Sequence, residues 1–458
     1  MTRLVASFHH PRAWLVALMA AVAAAQLWLA HHFDGFLTGD EVEVLSEAFR
    51  VATGAPYGLW NVRSRFVPQV IAAPPLALFT HLGIHDPSTL IWLATLPFVA
   101  ASVVTIPLVY ALAKRWSDDE LAARAATLLF ALHWIPLGFG GTTYPRVVAM
   151  ACLTAAAWLV ARETNLACVA AGAFAGVAFA DRFSEIVFVI PLALAARRRG
   201  AYIVAGFIAS ASLTVGAYDW LTWGAPFASL RNFARVTLVV RDFSSRVKVQ
   251  SPLWYLETLP RWCALTLVPF FWRARHRDAW LYVVIPLVVL SCIAHKELRY
   301  LQSLIPFLAI LGGLGFASLL RTRPRVAAAL LALSLTWNLV GLRFVERRSM
   351  AAVDAARFLG REPSLHTLAI PQVWAFGDKH YLGHDRRVFD IGSPPHDLAA
   401  ALDASDAAAI YGSDLTPAVR AELAQRGFAL RAVFRRARSR DVVVFVRSLS
   451  GTSDRARR

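Results

Sequence analysis

Two short stretches of this chain group residue types that do chemistry. In "FDGFLTGDEVEVLSEAFRVATG" Asp40 stands beside Glu41, after the first apolar run. A carboxylate at a membrane mouth can act as general base on a hydroxyl nucleophile. The same residues also read as local structure. Thr38 and Glu41 fit a capping box, Asp40 and Glu41 fall in a first helical turn favoured by the helix dipole, and Val42, Leu45, Phe49 and Ala52 form an apolar stripe suited to a membrane surface. The readings are compatible: Glu41 can cap while Asp40 takes a proton. The second stretch, "SCIAHKELRYLQSLIPF", packs His295, Lys296, Glu297 and Arg299 into five positions between apolar runs. Lysine and arginine at a membrane boundary often snorkel to headgroups, but snorkelling explains a cluster containing Glu297 less well. If the motif is helical, His295 and Arg299 are i,i+4 and Lys296 is i,i+3 with Arg299. Glu297 then lies about 200° round from His295 and pairs with a different element.

These stretches sit in a chain that is 57% hydrophobic and 17% charged over 458 residues, with a mean hydropathy of +0.50. Soluble domains carry roughly 25% charged residues. With apolar runs about 20 residues long, the composition predicts an all-α polytopic membrane protein. Spans are expected at 13–31, 89–112, 121–138, 147–161, 165–181, 183–196, 201–219, 253–272, 279–294, 300–319 and 326–343, about 11 transmembrane helices in all. The net charge is +17. Lys114/Arg115, Arg162, Arg197 to Arg199, Arg273/Arg275/Arg277 and Arg321/Arg323/Arg325 all fall on one side of that map, as the positive-inside rule requires. Topology therefore accounts for the basic pI and disfavours nucleic-acid binding. The N-terminus is expected in the cytoplasm, and the first run reads as a retained helix because no signal-peptidase site follows it. The loops 33–87, 139–146, 219–252 and 295–299 then share the outer face.

Other charges and rings have plainer readings. Asp181, Arg182 and Glu185 suggest an ion pair between neighbouring helices. Arg146, after "TTYP", either snorkels or lines a cleft. Trp220, Trp223, Trp254, Tyr255 and Trp262 read as an interfacial belt. Four scattered cysteines show neither CxxC spacing nor a disulfide framework. Past residue 345 the pattern changes. Residues 365–371, 407–411 and 441–447 read as strands, and "LTPAVRAELAQRG" reads as a helix with Thr416 as N-cap, Pro417 in the first turn and Gly427 beyond its end. The domain organisation expected is 1–345 as the membrane domain, 346–450 as a small α/β domain on the outer side, and 451–458 as a disordered tail.

Several of these stretches resemble one family. "GDEVEVLSEAFRVATGAPYGLWNVRSRFVPQVIAAP" is similar to the first outer loop of the family 22 glycosyltransferases, the dolichyl-phosphate-mannose-dependent mannosyltransferases of N-glycan and GPI-anchor assembly. Asp40-Glu41 match the family's acidic pair, with Gly39 for the usual proline, and Val62-Arg63-Ser64 match its "IRS". "YDWLTWGAPFASLRNF" resembles a later D-x-x-x-x-G loop through Asp219 and Gly224, and "SPLWYLETLP" resembles the segment that follows. "HKELRYLQSLIPFL" resembles the H-K-E-x-R-F signature, with Tyr300 for phenylalanine; it is the most specific part. The likeness runs from about residue 33 to 320.

The resemblance implies a GT-C fold and inverting transfer of a sugar, mannose in that family, from a polyprenyl-phosphate-linked donor to a glycan or glycolipid acceptor, among membrane lipids. It casts Asp40 as base and Glu41 as its partner or cap. It casts Lys296 and Arg299 as phosphate ligands, a point charge and a planar fork, with His295 donating or orienting. Arg63, Arg65 and Arg146 are further candidates for phosphate or acceptor. Asp40, Glu41 and Glu43 could hold a divalent cation with diphosphate oxygens, but the donor implied is a monophosphate, so no metal or other cofactor is expected. Asp40 and His295 are expected to face one outer cleft, about 10 Å apart. Alternatives are a transporter or flippase of lipid-linked glycans, a scaffold that binds a partner through 345–450, and a GT-C transferase using another sugar such as arabinose. A transporter should show repeats and interrupted midplane helices, and neither is legible. The Ala/Arg-rich composition and the lack of N-x-S/T sequons point to a bacterium, with the protein in its inner (plasma) membrane and the site facing the periplasm or exterior.

Overall fold

The computed structural model describes residues 11–32, 36–55, 62–240, 249–345, 349–437 and 439–448. The expected tail 451–458 and parts of the expected loops 33–87 and 219–252 lie outside these residues. The chain divides into two compact units. One comprises Met1–Ala30, Trp60–Pro75 and Ala94–Val345; the other comprises His31–Leu59, Leu76–Leu93 and Glu346–Arg458.

The first unit is helical, as an apolar chain must be where no water can satisfy its backbone. Five described segments of the whole chain are long and apolar enough to cross a membrane: Ala13–His32, Pro87–Ser117, Phe183–Trp223, Leu298–Leu320 and Pro324–Phe344. Arg146–Val160 and Asn165–Asp181 are shorter apolar helices. This is an integral membrane protein. The 183–223 stretch turns at Arg197, whose φ of 55° interrupts the helix between Val189–Ala196 and Gly200–Ala211. Asn165–Asp181 packs against both Arg146–Val160 and Gly200–Ala211. Small residues make this approach close: a Cβ on Gly172 would strike the Ile203 carbonyl, and one on Gly206 would strike that of Val169.

The segment read as a span over 253–272 is instead four short pieces: Trp254–Glu257, Leu259–Trp262, Leu265–Leu267 and Val268–Arg273. Pro260 and Pro269 cannot continue a helix from the preceding turn, and Cys263 is extended. Two rings assigned to an aromatic belt are core here. Tyr255 and Trp262 are buried, and the Trp262 indole N–H donates to the Tyr255 carbonyl at 2.8 Å. Trp220, 65% exposed, keeps the character expected of the belt.

The second unit contains a five-stranded sheet in the order β2-β1-β3-β5-β4, with β1 Thr367–Ile370, β2 Arg387–Asp390, β3 Ala407–Tyr411, β4 Phe428–Phe434 and β5 Val442–Arg447. β1 is parallel to β2 and β3; β5 is antiparallel to β3 and β4. Three strands match the sequence reading. β2 and β4 escaped it, β2 because Arg387 and Asp390 give an edge strand no apolar run. The helix Pro417–Gln425 forms as expected: the Thr416 hydroxyl accepts from the Val419 N–H at 3.3 Å, and Gly427 takes φ +73°. Arg386 is buried and donates to the carbonyls of Leu359, Gly360, Glu362 and Leu382 at 2.6–3.1 Å, closing the end of helix Met350–Arg361.

Candidate active site

The 295–300 segment belongs to the first unit and is not helical. His295 forms a backbone bridge with Val249, the Gln250 N–H donates to the Ala294 carbonyl at 3.0 Å, and Glu297 is extended (φ −143°, ψ 147°) before the 3-10 turn Leu298–Leu304. The helical face proposed for His295 and Arg299 is therefore absent. Glu297 also finds its partner inside the motif, since the extended backbone lets it ion-pair with Arg299. Lys296 is 2% exposed. Its ammonium donates to the carbonyls of Ile293 at 2.5 Å and Gln250 at 3.3 Å, and burial lowers its pKa. No carboxylate pairs with it among the described residues.

Behind this segment stands Arg146, also 2% exposed. It neither snorkels nor presents an open charge. It pairs with Glu185 and donates to the Ser184 hydroxyl at 2.9 Å and to the Tyr300 carbonyl at 3.4 Å. Its guanidinium lies 4.7 Å from the centroid of the Tyr300 ring. Arg299 lies 5.3 Å from the Tyr144 ring and 5.8 Å from that of Tyr300. The two arginines thus share Tyr300. The Tyr255 hydroxyl donates to the Glu297 carbonyl at 3.3 Å. Asp181 accepts from the Ala149 N–H at 2.9 Å. The expected ion pair near Asp181 is thus formed by Glu185, with Arg146 as its partner.

Arg63 and Arg65 occupy a separate turn of the same unit. Arg65 donates to the Thr222 carbonyl at 3.0 Å and stacks 3.5 Å over Trp223, while the Ser64 hydroxyl donates to the Thr214 carbonyl at 3.2 Å. Arg63 is half-buried beside them. The D-x-x-x-x-G loop is local scaffolding: Asp219 accepts from the Ser229 N–H (2.8 Å) and hydroxyl (2.6 Å), and Gly224 ends helix Tyr218–Trp223 with φ +76°.

Asp40 and Glu41 belong to the second unit, at the start of helix Gly39–Thr53. Asp40 is half-buried and Glu41 buried. The capping box forms only in part. Thr38 is extended, but its hydroxyl caps no N–H; it donates to Glu41 at 3.5 Å, and Glu41 accepts from the Leu37 N–H at 3.3 Å. The stripe assigned to a membrane surface is turned inward: Val42, Leu45 and Phe49 are buried, and Phe49 packs 4.5 Å from the His380 ring. The helix is further held by the Ser46 hydroxyl, 3.3 Å from Asp378 and 3.4 Å from His380 Nε2. Burial pushes His380 down to about 3 and raises the Asp378 carboxyl. Among the described residues no group of three His, Cys, Asp or Glu is placed to hold a metal ion.

Sequence reasoning missed Glu185 as the partner of Arg146, the ring pair Tyr144 and Tyr300, and the Asp378/His380 pair. The "TTYP" run was a signal for Tyr144. No local pattern marks Asp378 or His380, because their partner is more than 330 positions away.

The fold has solved relatives. ArnT from Cupriavidus metallidurans, in the apo state, superposes with a TM-score of 0.63 at 17% identity, covering 94% of this chain and 97% of that one. The same protein bound to undecaprenyl phosphate gives 0.63 at 16% identity with the same coverage. The archaeal oligosaccharyltransferase AglB from Archaeoglobus fulgidus, in complex with an inhibitory peptide and a dolichol-phosphate, gives 0.58 at 11% identity, covering 95% of this chain and 74% of that one. These likenesses establish the GT-C fold. No functionally curated protein matches the sequence at a significant level. The family match spans residues 19–358 and takes in Asp40, Glu41, Arg63, Arg65, Arg146, His295, Lys296 and Arg299. The chain therefore belongs to the Alg9-like mannosyltransferase family and is a membrane-embedded glycosyltransferase of GT-C fold.

Proposed function

We propose that this enzyme transfers mannose from a polyprenyl-phosphate donor to a hydroxyl of a lipid-linked or cell-envelope glycan, with inversion. The acceptor oxygen forms a bond to the anomeric carbon as the bond from that carbon to the phosphate oxygen breaks. The electron pair leaves with the lipid phosphate, and the hydroxyl proton passes to Asp40. The single observation that carries this reading is Lys296: a buried ammonium whose described partners are backbone carbonyls, so that an anion completes its charge. Arg299, ion-paired with Glu297 and set over the Tyr144 and Tyr300 rings, supplies a second donor to the phosphate. Arg146, already paired with Glu185, holds Tyr300 rather than substrate, and His295 orients the segment through its strand bridge. Arg65 braces the 62–65 turn against Thr222 and Trp223, and Arg63 beside it is the acceptor-side candidate. The leaving phosphate needs no protonation at neutral pH, so one base and a cationic clamp suffice without a metal.

The undecaprenyl phosphate and dolichol-phosphate named with the solved relatives support a lipid-phosphate donor here. The basic clusters support an N-terminus in the cytoplasm, with site and α/β domain on the outer side of a bacterial inner membrane. The test is a transfer assay with polyprenyl-phosphate mannose. Asp40→Asn is expected to lower turnover by about 10²–10⁴. A folded Asp40→Asn enzyme with near-normal turnover removes the base assignment, and activity abolished by a chelator removes the metal-free one.

A further inference from the structure

The second unit joins the helix of Asp40 to the C-terminal α/β domain, and the contacts between them run the length of that helix. At its entry the Phe36 N–H donates to the Ser349 hydroxyl at 2.5 Å, and that hydroxyl donates back to the Phe36 carbonyl at 2.6 Å. At its first residue the Trp374 side chain covers Gly39, with its atoms 3.5–3.7 Å from where a Cβ would stand. Asp40 is the next residue. Halfway along, Ser46 bonds to Asp378 and His380; near the end, Phe49 meets the His380 ring. From 39 to 49 the helix rises about 15 Å, so contacts at both ends and the middle fix its position and rotation.

The segment that makes these contacts leaves the carboxyl end of β1. There the chain crosses from β2 on one side of β1 to β3 on the other, the topological switch point where open α/β sheets present functional groups. The segment is tied to all three strand ends. Asp390, ending β2, accepts from the N–H groups of Gln372 and Val373 at 3.0 and 3.3 Å, and the Tyr411 hydroxyl, ending β3, donates to Gln372 at 3.5 Å. Support thus passes from sheet to Gln372, to Trp374 and to Gly39, the residue before Asp40.

We propose that the C-terminal α/β domain is the template that sets the position of Asp40, with Trp374, against the preceding Gly39, as the positioning residue and Ser46, through Asp378 and His380, as the rotational lock. This rests on Asp40 being the base.

The experiment compares full-length Trp374→Ala, Trp374→Phe and Ser46→Ala with wild type in the polyprenyl-phosphate-mannose assay, with fraction folded measured alongside. A base displaced by about 1 Å loses on the order of 10² in rate. Trp374→Ala is expected to lower kcat by up to about that factor, to leave the donor KM within about two- to threefold (a base acts on the chemical step, not on donor affinity), and to shift the acid limb of the pH–rate profile. Trp374→Phe restores most of the rate, and Ser46→Ala, which removes no ring, moves kcat and the acid limb in the same direction. Wild-type kcat and pH profile in Trp374→Ala overturn the proposal. So does a loss explained wholly by unfolded protein with Ser46→Ala unchanged. An active Asp40→Asn enzyme instead defeats the base assignment itself; an inactive one beside a wild-type-like Trp374→Ala defeats only the positioning.

Discussion

Around residues 144–300 of the first unit cations outnumber carboxylates: Arg146, Lys296 and Arg299 stand with Glu185 and Glu297. Around residues 40–50 and 378 of the second unit carboxylates outnumber cations: Asp40, Glu41, Glu43, Glu47 and Asp378 stand with Lys379 and with Arg50, which pairs with Glu47 at 2.7 Å. Over these residues the first region carries more positive than negative charge and the second more negative than positive. The mechanism proposed above assigns the phosphate to the first and the hydroxyl proton to the second. The regions also differ in what holds them. The cationic one rests on a buried ion pair and a strand bridge within the membrane unit. The acidic one rests on a helix clasped by a soluble-type sheet domain.

The sharpest way to break the first region is at Arg146. Arg146→Ala strands Glu185 as a buried charge and is expected to destabilise the protein by about 3–5 kcal/mol, read as a lowered thermal midpoint in detergent. Arg146→Met with Glu185→Leu should recover most of that. A wild-type midpoint for Arg146→Ala would show that the pair is not structural. Lys296 tests the opposite property, since its described partners are carbonyls that water can satisfy once it is removed. Lys296→Ala should fold yet lose about 10²–10³ in turnover, with Lys296→Arg between; an unchanged rate would put the phosphate elsewhere.

The acidic region is sharpened by pH. His380 is neutral when folded, with its pKa lowered to about 3 by burial, whereas the unfolded ring takes a proton below about 6.5. Its contribution to stability is therefore complete above about 6.5 and is lost as pH falls toward 3, by at most about 1.4 kcal/mol per pH unit. The raised Asp378 carboxyl works the other way, and its contribution fades as pH rises through its folded value. Between pH 7 and 5 the melting midpoint should fall in wild type and fall less in His380→Gln; equal slopes would remove His380 as the cause. The smallest effect is expected at Gly39. It is helical, and a Cβ there meets Trp374 at ordinary contact distance. Gly39→Ala should stabilise by about 0.4–1 kcal/mol, and a destabilised variant would mean that the tryptophan cannot tolerate even a methyl group.

Much of this was legible from order and type. The helices Asn165–Asp181 and Arg146–Val160 were read to within a residue, because an apolar run in a membrane has one way to satisfy its backbone. β3 was read to the residue because "AAAIY" is buried on both faces. Where local pattern misled, a distant partner had intervened. The 295–299 motif reads as helical until Val249 pairs with His295, and the amphipathic helix 39–53 reads as a membrane-surface element until residues of the C-terminal domain cover it.

The sequence by itself determined the membrane class, the two charged stretches, the α/β character of the last hundred or so residues and the family, since each depends on composition, spacing or residue order. Only the tertiary structure decided which charges are already matched. Arg146 and Lys296 look alike in sequence and are both shielded from solvent, but one meets a carboxylate from a turn 39 positions on and the other meets carbonyl oxygens. Burial makes that difference decisive, because a charge removed from water takes its character from the few groups the fold sets against it.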